Sequence, residues 1–139
     1  MTFSILGGLH SFNEADTIAK VTTDLDAGLA TLPFPAKAQL VNADSSSTDG
    51  TPEVFLATPT TSPKKVIITP HAGGKGSNWR ALLRLACDQH VDAILLVDTD
   101  LGEVPESWVQ SLVGAVHDGI DFCFPLRPPI LVSISCWPP

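Results

Sequence analysis

Residues 93–100 read Ala93-Ile94-Leu95-Leu96-Val97-Asp98-Thr99-Asp100, five apolar residues closed by two carboxylates that flank a threonine. A short, unbroken apolar run bounded by polar residues is the pattern of a strand buried on both faces. Such strands belong to parallel sheets covered by helices. On the carboxyl side of this strand, residues 105–117 are predicted helical, with Trp108, Leu112 and Val116 at i, i+4 and i+8 on the inner face. Residues 121–126 then read as a last strand. On the amino side, residues 78–88 form a predicted helix with Leu82, Leu85 and Ala86 inward. A glycine-rich loop, 71–77, precedes it, and a third strand, 65–69, precedes the loop.

Further upstream, residues 58–63 are a Thr/Pro loop. Thr51 as N-cap and Pro52 at the first helical position start a short helix. Residues 44–50 are a polar turn after a second strand, 38–43. The first helix carries Ile18, Val21, Leu25 and Leu29 at helical spacing. Its expected cap is Asn13, with Asp16 in the first turn, and Pro33 and Pro35 end it. Residues 2–9 are a buried first strand. Strand and helix alternate throughout, which predicts an α/β fold: a doubly wound, mostly parallel sheet with helices on both faces. In such sheets ligands bind outside the carboxyl ends of the strands. Four polar clusters fall at those ends: residues 10–14, 44–49, 71–77 and 98–100.

The bulk composition narrows the function. The chain has 139 residues, 44 % hydrophobic and 17 % charged, which suits one globular domain. Its net charge of −7 argues against a nucleic-acid partner, whose affinity rests on many Lys and Arg facing phosphates. A small anionic ligand remains open, because one metal ion or one helix N-terminus supplies local positive potential. Cys87, Cys123 and Cys136 have neither an even number nor zinc spacing, so reduced thiols and a cytoplasmic location are expected. No signal peptide and no transmembrane segment are visible.

Asp98 and Asp100 are placed to hold a cation. Two nearby carboxylates repel unless a cation lies between them, and Mg²⁺ or Mn²⁺ is commonly held by one or two carboxylates plus substrate phosphates. Asp44, first after the second strand, can accept hydrogen bonds from a base or ribose. Asp49 and Thr51 read as structural. Gly73-Gly74-Lys75-Gly76 before a helix suits a phosphate, although the spacing is not that of a Walker A loop. Arg80 and Arg84 read as a solvated face, and Glu14 as a carboxylate of the first helical turn. His10, His71, His90 and His117 lack metal spacing, and Trp79 and Trp108 read as core.

Together these clusters resemble the glycosyltransferases of the GT-A fold, family 2 and its relatives. The resemblance rests on Phe12-Asn13-Glu14, on residues 44–49, on Gly74-Lys75-Gly76 and on Asp98-Thr99-Asp100, and it spans roughly residues 5–128. The stretches Gly74-Lys75-Gly76-Ser77-Asn78-Trp79-Arg80 and Leu96-Val97-Asp98-Thr99-Asp100-Leu101 look most like glucosyl-3-phosphoglycerate synthases. The resemblance implies transfer of a sugar from a UDP- or GDP-linked donor with Mg²⁺ or Mn²⁺. It implies that Asp44 and Lys75 hold the nucleotide, that Asp100 binds the metal, that Asp98 lies near the ribose or metal, and that Glu14 lies near the base. Ser45-Ser46 stand where the family has Asp-Gly, so base recognition is expected to differ.

Family members continue beyond Pro129 with a part that supplies acceptor contacts and often a catalytic base, so no catalytic residue is singled out here. Residues 130–139 are apolar and unlike the family. The expectation is a truncated donor-binding domain, 1–129, with an apolar tail that favours self-association into a homo-oligomer. Two rival readings stand beside it: a nucleotide-sugar-binding module without turnover, and a sugar-phosphate nucleotidyltransferase suggested by Leu6-Gly7-Gly8.

Overall fold

Apolar strands alternate with amphipathic helices, and the chain winds them into one sheet. The computed structural model describes residues 1–125 and the backbone of residues 134–137. The elements are β1 (Phe3–Ser11), α1 (Ile18–Ala30), β2 (Ala36–Asp44), α2 (Thr51–Ala57), β3 (Lys64–Ile68), a 3₁₀ turn at His71–Gly73, α3 (Gly74–Asp88), β4 (Ala93–Asp98), α4 (Glu106–His117), β5 (Phe122–Pro125) and β6 (Ile134–Trp137). Strands β3-β2-β1-β4 form a four-stranded sheet in that order, with every pairing parallel. The chain moves outward from β1 to β3, then returns to lay β4 on the other side of β1. That reversal is the topological switch point, and it opens a crevice between the carboxyl ends of β1 and β4.

Alternation along each strand divides the core in two. Ile5, Leu9, Leu40 and Val97 meet Ile18, Val21, Leu25 and Leu29 of α1, Phe55 of α2, and Val109 and Val113 of α4 on one face. Leu6, Val41 and Ala43 meet Leu82 and Ala86 of α3 on the other. Each Leu or Ile buried this way stabilises the fold by roughly 1.5–3 kcal/mol before conformational entropy is subtracted. Helices α1 and α4 approach closely at Gly28, where an added Cβ would lie 2.7 Å from Val109 Cβ. Among the described residues, no helix is long and apolar enough to cross a membrane.

Several local expectations are corrected. Asn13 does not cap α1. It adopts φ 52°, a left-handed conformation that Asn tolerates, and its Oδ1 accepts a hydrogen bond from Thr48 N at 2.9 Å. Thr51 is the first residue of α2 rather than its cap, which is Gly50 at φ 86°. The glycine-rich stretch is not a free loop: the 3₁₀ turn and the first turn of α3 absorb it, so Lys75 is helical. The buried face of α4 is set by Val109 and Val113 rather than by Trp108 and Val116, because that face packs on Gly28 of α1. Strand β5 does not extend the main sheet but pairs antiparallel with β6. Apart from the backbone of 134–137, the expected tail of 130–139 lies outside the described residues.

Candidate functional site

A cleft of about 400 Å³ lies at the carboxyl edge of the sheet, over the switch point. All four polar clusters contribute to its wall, through His10 and Glu14, Ser45, Lys75, and Asp98 with Asp100. Its volume falls within the range of sites that hold small molecules.

Asp98 is the electrostatic centre. It ends β4 in register with His10 of β1, so the two side chains lie side by side although they are 88 residues apart. His10 Nε2 contacts Asp98 Oδ1, and Lys75 Nζ donates to the same oxygen at 2.9 Å. Burial alone would raise the Asp98 carboxyl. The hydrogen bonds from Lys75 and His10, with their positive charge, outweigh burial and hold it below the usual carboxylate range. Thr99 anchors the turn after β4 by donating from Oγ1 to His10 O at 2.8 Å. Asp100 is exposed and forms no ion pair among the described residues.

Lys75 is aimed by its helix. Gly74 has φ 54°, which favours glycine, and it lets α3 begin at the cleft. No side chain caps the start of α3, and the N–H of its first residue, Gly74, is bonded to His71 O of the 3₁₀ turn. Asn78, 1 % exposed, fixes this helix end to the sheet through Thr69 Oγ1 and, at 2.8 Å, Ser45 Oγ.

Asp44 is placed differently. It is 0 % exposed and lies beneath the cleft instead of on its wall. Its carboxylate accepts from Ser11 Oγ at 2.7 Å, Ser47 N at 2.7 Å and Ser47 Oγ at 2.6 Å. The loop it begins is sewn to the loop after β1. Asn13 N donates to Ser47 Oγ at 2.8 Å, Glu14 N to Thr51 Oγ1 at 2.9 Å, and Ala15 N to Asp49 Oδ2 at 3.0 Å. Asp49 and Thr51 are therefore structural, as their sequence context suggested. The hydrogen bond from Thr51 comes first among the causes that hold the Asp49 carboxyl below its ordinary value. Glu14 sits four residues before α1, accepts from Thr17 Oγ1 at 3.1 Å, and reaches the cleft.

Three residues, two on the cleft wall and one beside it, depart from the sequence expectation. His10 was one of four scattered histidines, and only the parallel register of β1 and β4 brings it to Asp98. Trp79, read as core, is 38 % exposed and lies 5.0 Å beneath Lys75 Nζ, with its ring edge-on to His10. His71 lines the cleft with its ring against Phe12, centroids 4.4 Å apart. For His10 a signal existed: in a parallel sheet, residues that end neighbouring strands lie together.

The fit of a divalent cation can be tested on these groups. Among the described residues, no three His, Cys, Asp or Glu side chains converge into a cage. The pair Asp98 and Asp100 does share the cleft, Asp100 is open, and both Asp98 contacts fall on one oxygen. This donor set fits a hard cation that completes its shell with phosphate oxygens and water.

The family model of glycosyl transferase family 2 matches residues 9–134, most of the sequence and every cleft segment. The chain belongs to glycosyl transferase family 2. Among solved structures, residues 1–349 of TarS from S. aureus share the fold of this family 2 chain, with a TM-score of 0.62 and 21 % identity over 85 % of the chain. The chain spans 33 % of that TarS structure. No curated protein sequence matches this family 2 member.

Proposed function

We propose that this family 2 chain is the donor-binding part of a glycosyltransferase that takes a nucleoside-diphosphate sugar, linked to UDP or GDP, with Mg²⁺ or Mn²⁺. The observation that carries the reading is the start of α3, with Lys75, facing Asp98 and Asp100 across the switch-point cleft. The positive N-terminal end of α3 and the Lys75 ammonium would take the diphosphate. Asp100, with Asp98, would hold the metal, which when bound neutralises charge on the departing diphosphate. We assign Glu14 to the base side of the cleft. Asp44 we assign to positioning, since its carboxylate is bonded inward to Ser11 and Ser47. The motif likeness to glucosyl-3-phosphoglycerate synthases makes UDP-glucose the first donor to try.

Calorimetric titration with UDP, GDP, UDP-glucose and GDP-mannose, with and without Mg²⁺ or Mn²⁺, tests the reading. Metal-dependent binding of one nucleotide class is expected, and no binding of any of them sinks it. A product assay separates transfer from binding alone. Release of pyrophosphate from an NTP and a sugar phosphate would instead mark a nucleotidyltransferase.

A further inference from the structure

We propose that Lys75 is a resident counter-ion of Asp98 that a divalent cation has to displace, and that this exchange couples metal to nucleotide. The inference rests on the donor-site reading above. Its basis is the crowding of one carboxylate oxygen. Asp98 Oδ1 is contacted by both His10 Nε2 and Lys75 Nζ, while Asp100, two residues on, makes no ion pair among the described residues.

The two partners of Asp98 Oδ1 differ in freedom. The His10 side chain is 17 % exposed and packs edge-on against Trp79, so it stays with Asp98. The Lys75 side chain is 51 % exposed on a flexible stem, with its ammonium over the Trp79 ring. A Cβ added at either flanking glycine, Gly74 or Gly76, would meet nothing within 4 Å, so the backbone on both sides of Lys75 is open. The ammonium therefore neutralises the acidic wall, which also carries Glu14 and Asp100, until a cation of higher charge arrives.

A divalent ion on the Asp98–Asp100 pair would stand beside that ammonium and repel it. A diphosphate at the start of α3 gives the ammonium another anion to face. Metal alone thus competes with Lys75, whereas metal with nucleotide does not. Because coupling is reciprocal, each ligand tightens the other by the same factor.

The test is a Mn²⁺ titration followed by electron paramagnetic resonance, first without nucleotide. Lys75→Met is expected to bind Mn²⁺ about two- to fivefold more tightly than the natural chain, the size of an exposed ion pair. Lys75→Arg, which keeps the charge, should bind it as the natural chain does. In an Asp98→Asn background Lys75→Met should bring no gain. With UDP or GDP added, the factor by which nucleotide tightens Mn²⁺ should shrink in Lys75→Met. Equal or weaker Mn²⁺ binding by Lys75→Met overturns the proposal. The nucleotide-free titration decides the counter-ion by itself. If it gives the expected order while no nucleotide binds, the donor reading fails and the competition at Asp98 stands.

Discussion

Asp44 and Asp98 stand at equivalent places, each the last residue of a strand flanking β1, yet they do different work. Asp44 pairs in register with Ser11 and Asp98 with His10. Ser11 and His10 are neighbours on one strand, so their side chains point to opposite faces of the sheet. Asp44 therefore faces the α1 side, where Ser11 and Ser47 enclose its carboxylate. Asp98 faces the α3 side, where Lys75 and the cleft meet it. One residue of register separates a carboxylate that organises two loops from one that faces the cleft. An acidic residue at a strand end is thus not evidence of a ligand until its face is known.

The comparison can be broken most directly at Asp44. Asp44→Ala takes the acceptor from Ser47 N and Oγ and leaves Ser11 Oγ only Asn42 Oδ1, at 3.1 Å, and is expected to cost about 2 kcal/mol in urea unfolding. If that variant is as stable as the natural chain, Asp44 is not framework. Asp100→Ala should behave in the opposite way. Its stability should stay within about 0.5 kcal/mol, while metal-dependent nucleotide affinity falls roughly ten- to a hundredfold, the worth of a lost charged contact.

Asp26 sharpens the framework side through pH. Burial alone would raise its carboxyl, but backbone N–H groups of Thr61, at 2.7 Å, and Ser62, at 3.0 Å, outweigh burial and hold it below its ordinary value. A carboxyl depressed on folding adds stability that is present above the unfolded pKa, about 3.9, and is lost as pH falls through the folded value. Acid unfolding of Asp26→Asn should accordingly show a shallower loss of stability below about pH 4 than the natural chain. An unchanged acid limb would remove Asp26 from the framework group.

The smallest effect is expected at Ser46, a non-glycine residue held at φ 59°. Ser46→Gly relieves roughly 0.5–1 kcal/mol of backbone cost. It also removes the hydrogen bond from Ser46 Oγ to Thr69 O at 2.7 Å, worth about as much. Thermal unfolding should therefore move by only a degree or two in either direction, and a larger fall would mean that the hydroxyl ties β2 to β3 more strongly than a typical hydrogen bond.

Much of this was legible in the chain itself. The apolar run before Asp98 and the alternation of strands and helices specify a parallel α/β sheet, because burial on two faces demands unbroken apolar strands. The strand-end clusters mark the edge where the cleft lies, because parallel strands all end on one side. Helix faces were less legible: Trp108 and Val116 fit the helical period of α4, but the close approach of α1 at Gly28 selects Val109 instead. The glycine stretch before α3 was hidden for a related reason. Low helix propensity argued for a loop, and the packing of Asn78 and Leu82 against the sheet carries the helix back to Gly74.

Sequence by itself determined the fold class, the edge where the cleft lies and the residue types available there, since these depend on local period and on order along the chain. Tertiary structure alone decided which carboxylate meets the cleft, that His10 and Lys75 share Asp98, and that Trp79 lies beneath them. Those relations depend on register between strands far apart in sequence, and no local pattern encodes which face of a neighbouring strand a side chain will share.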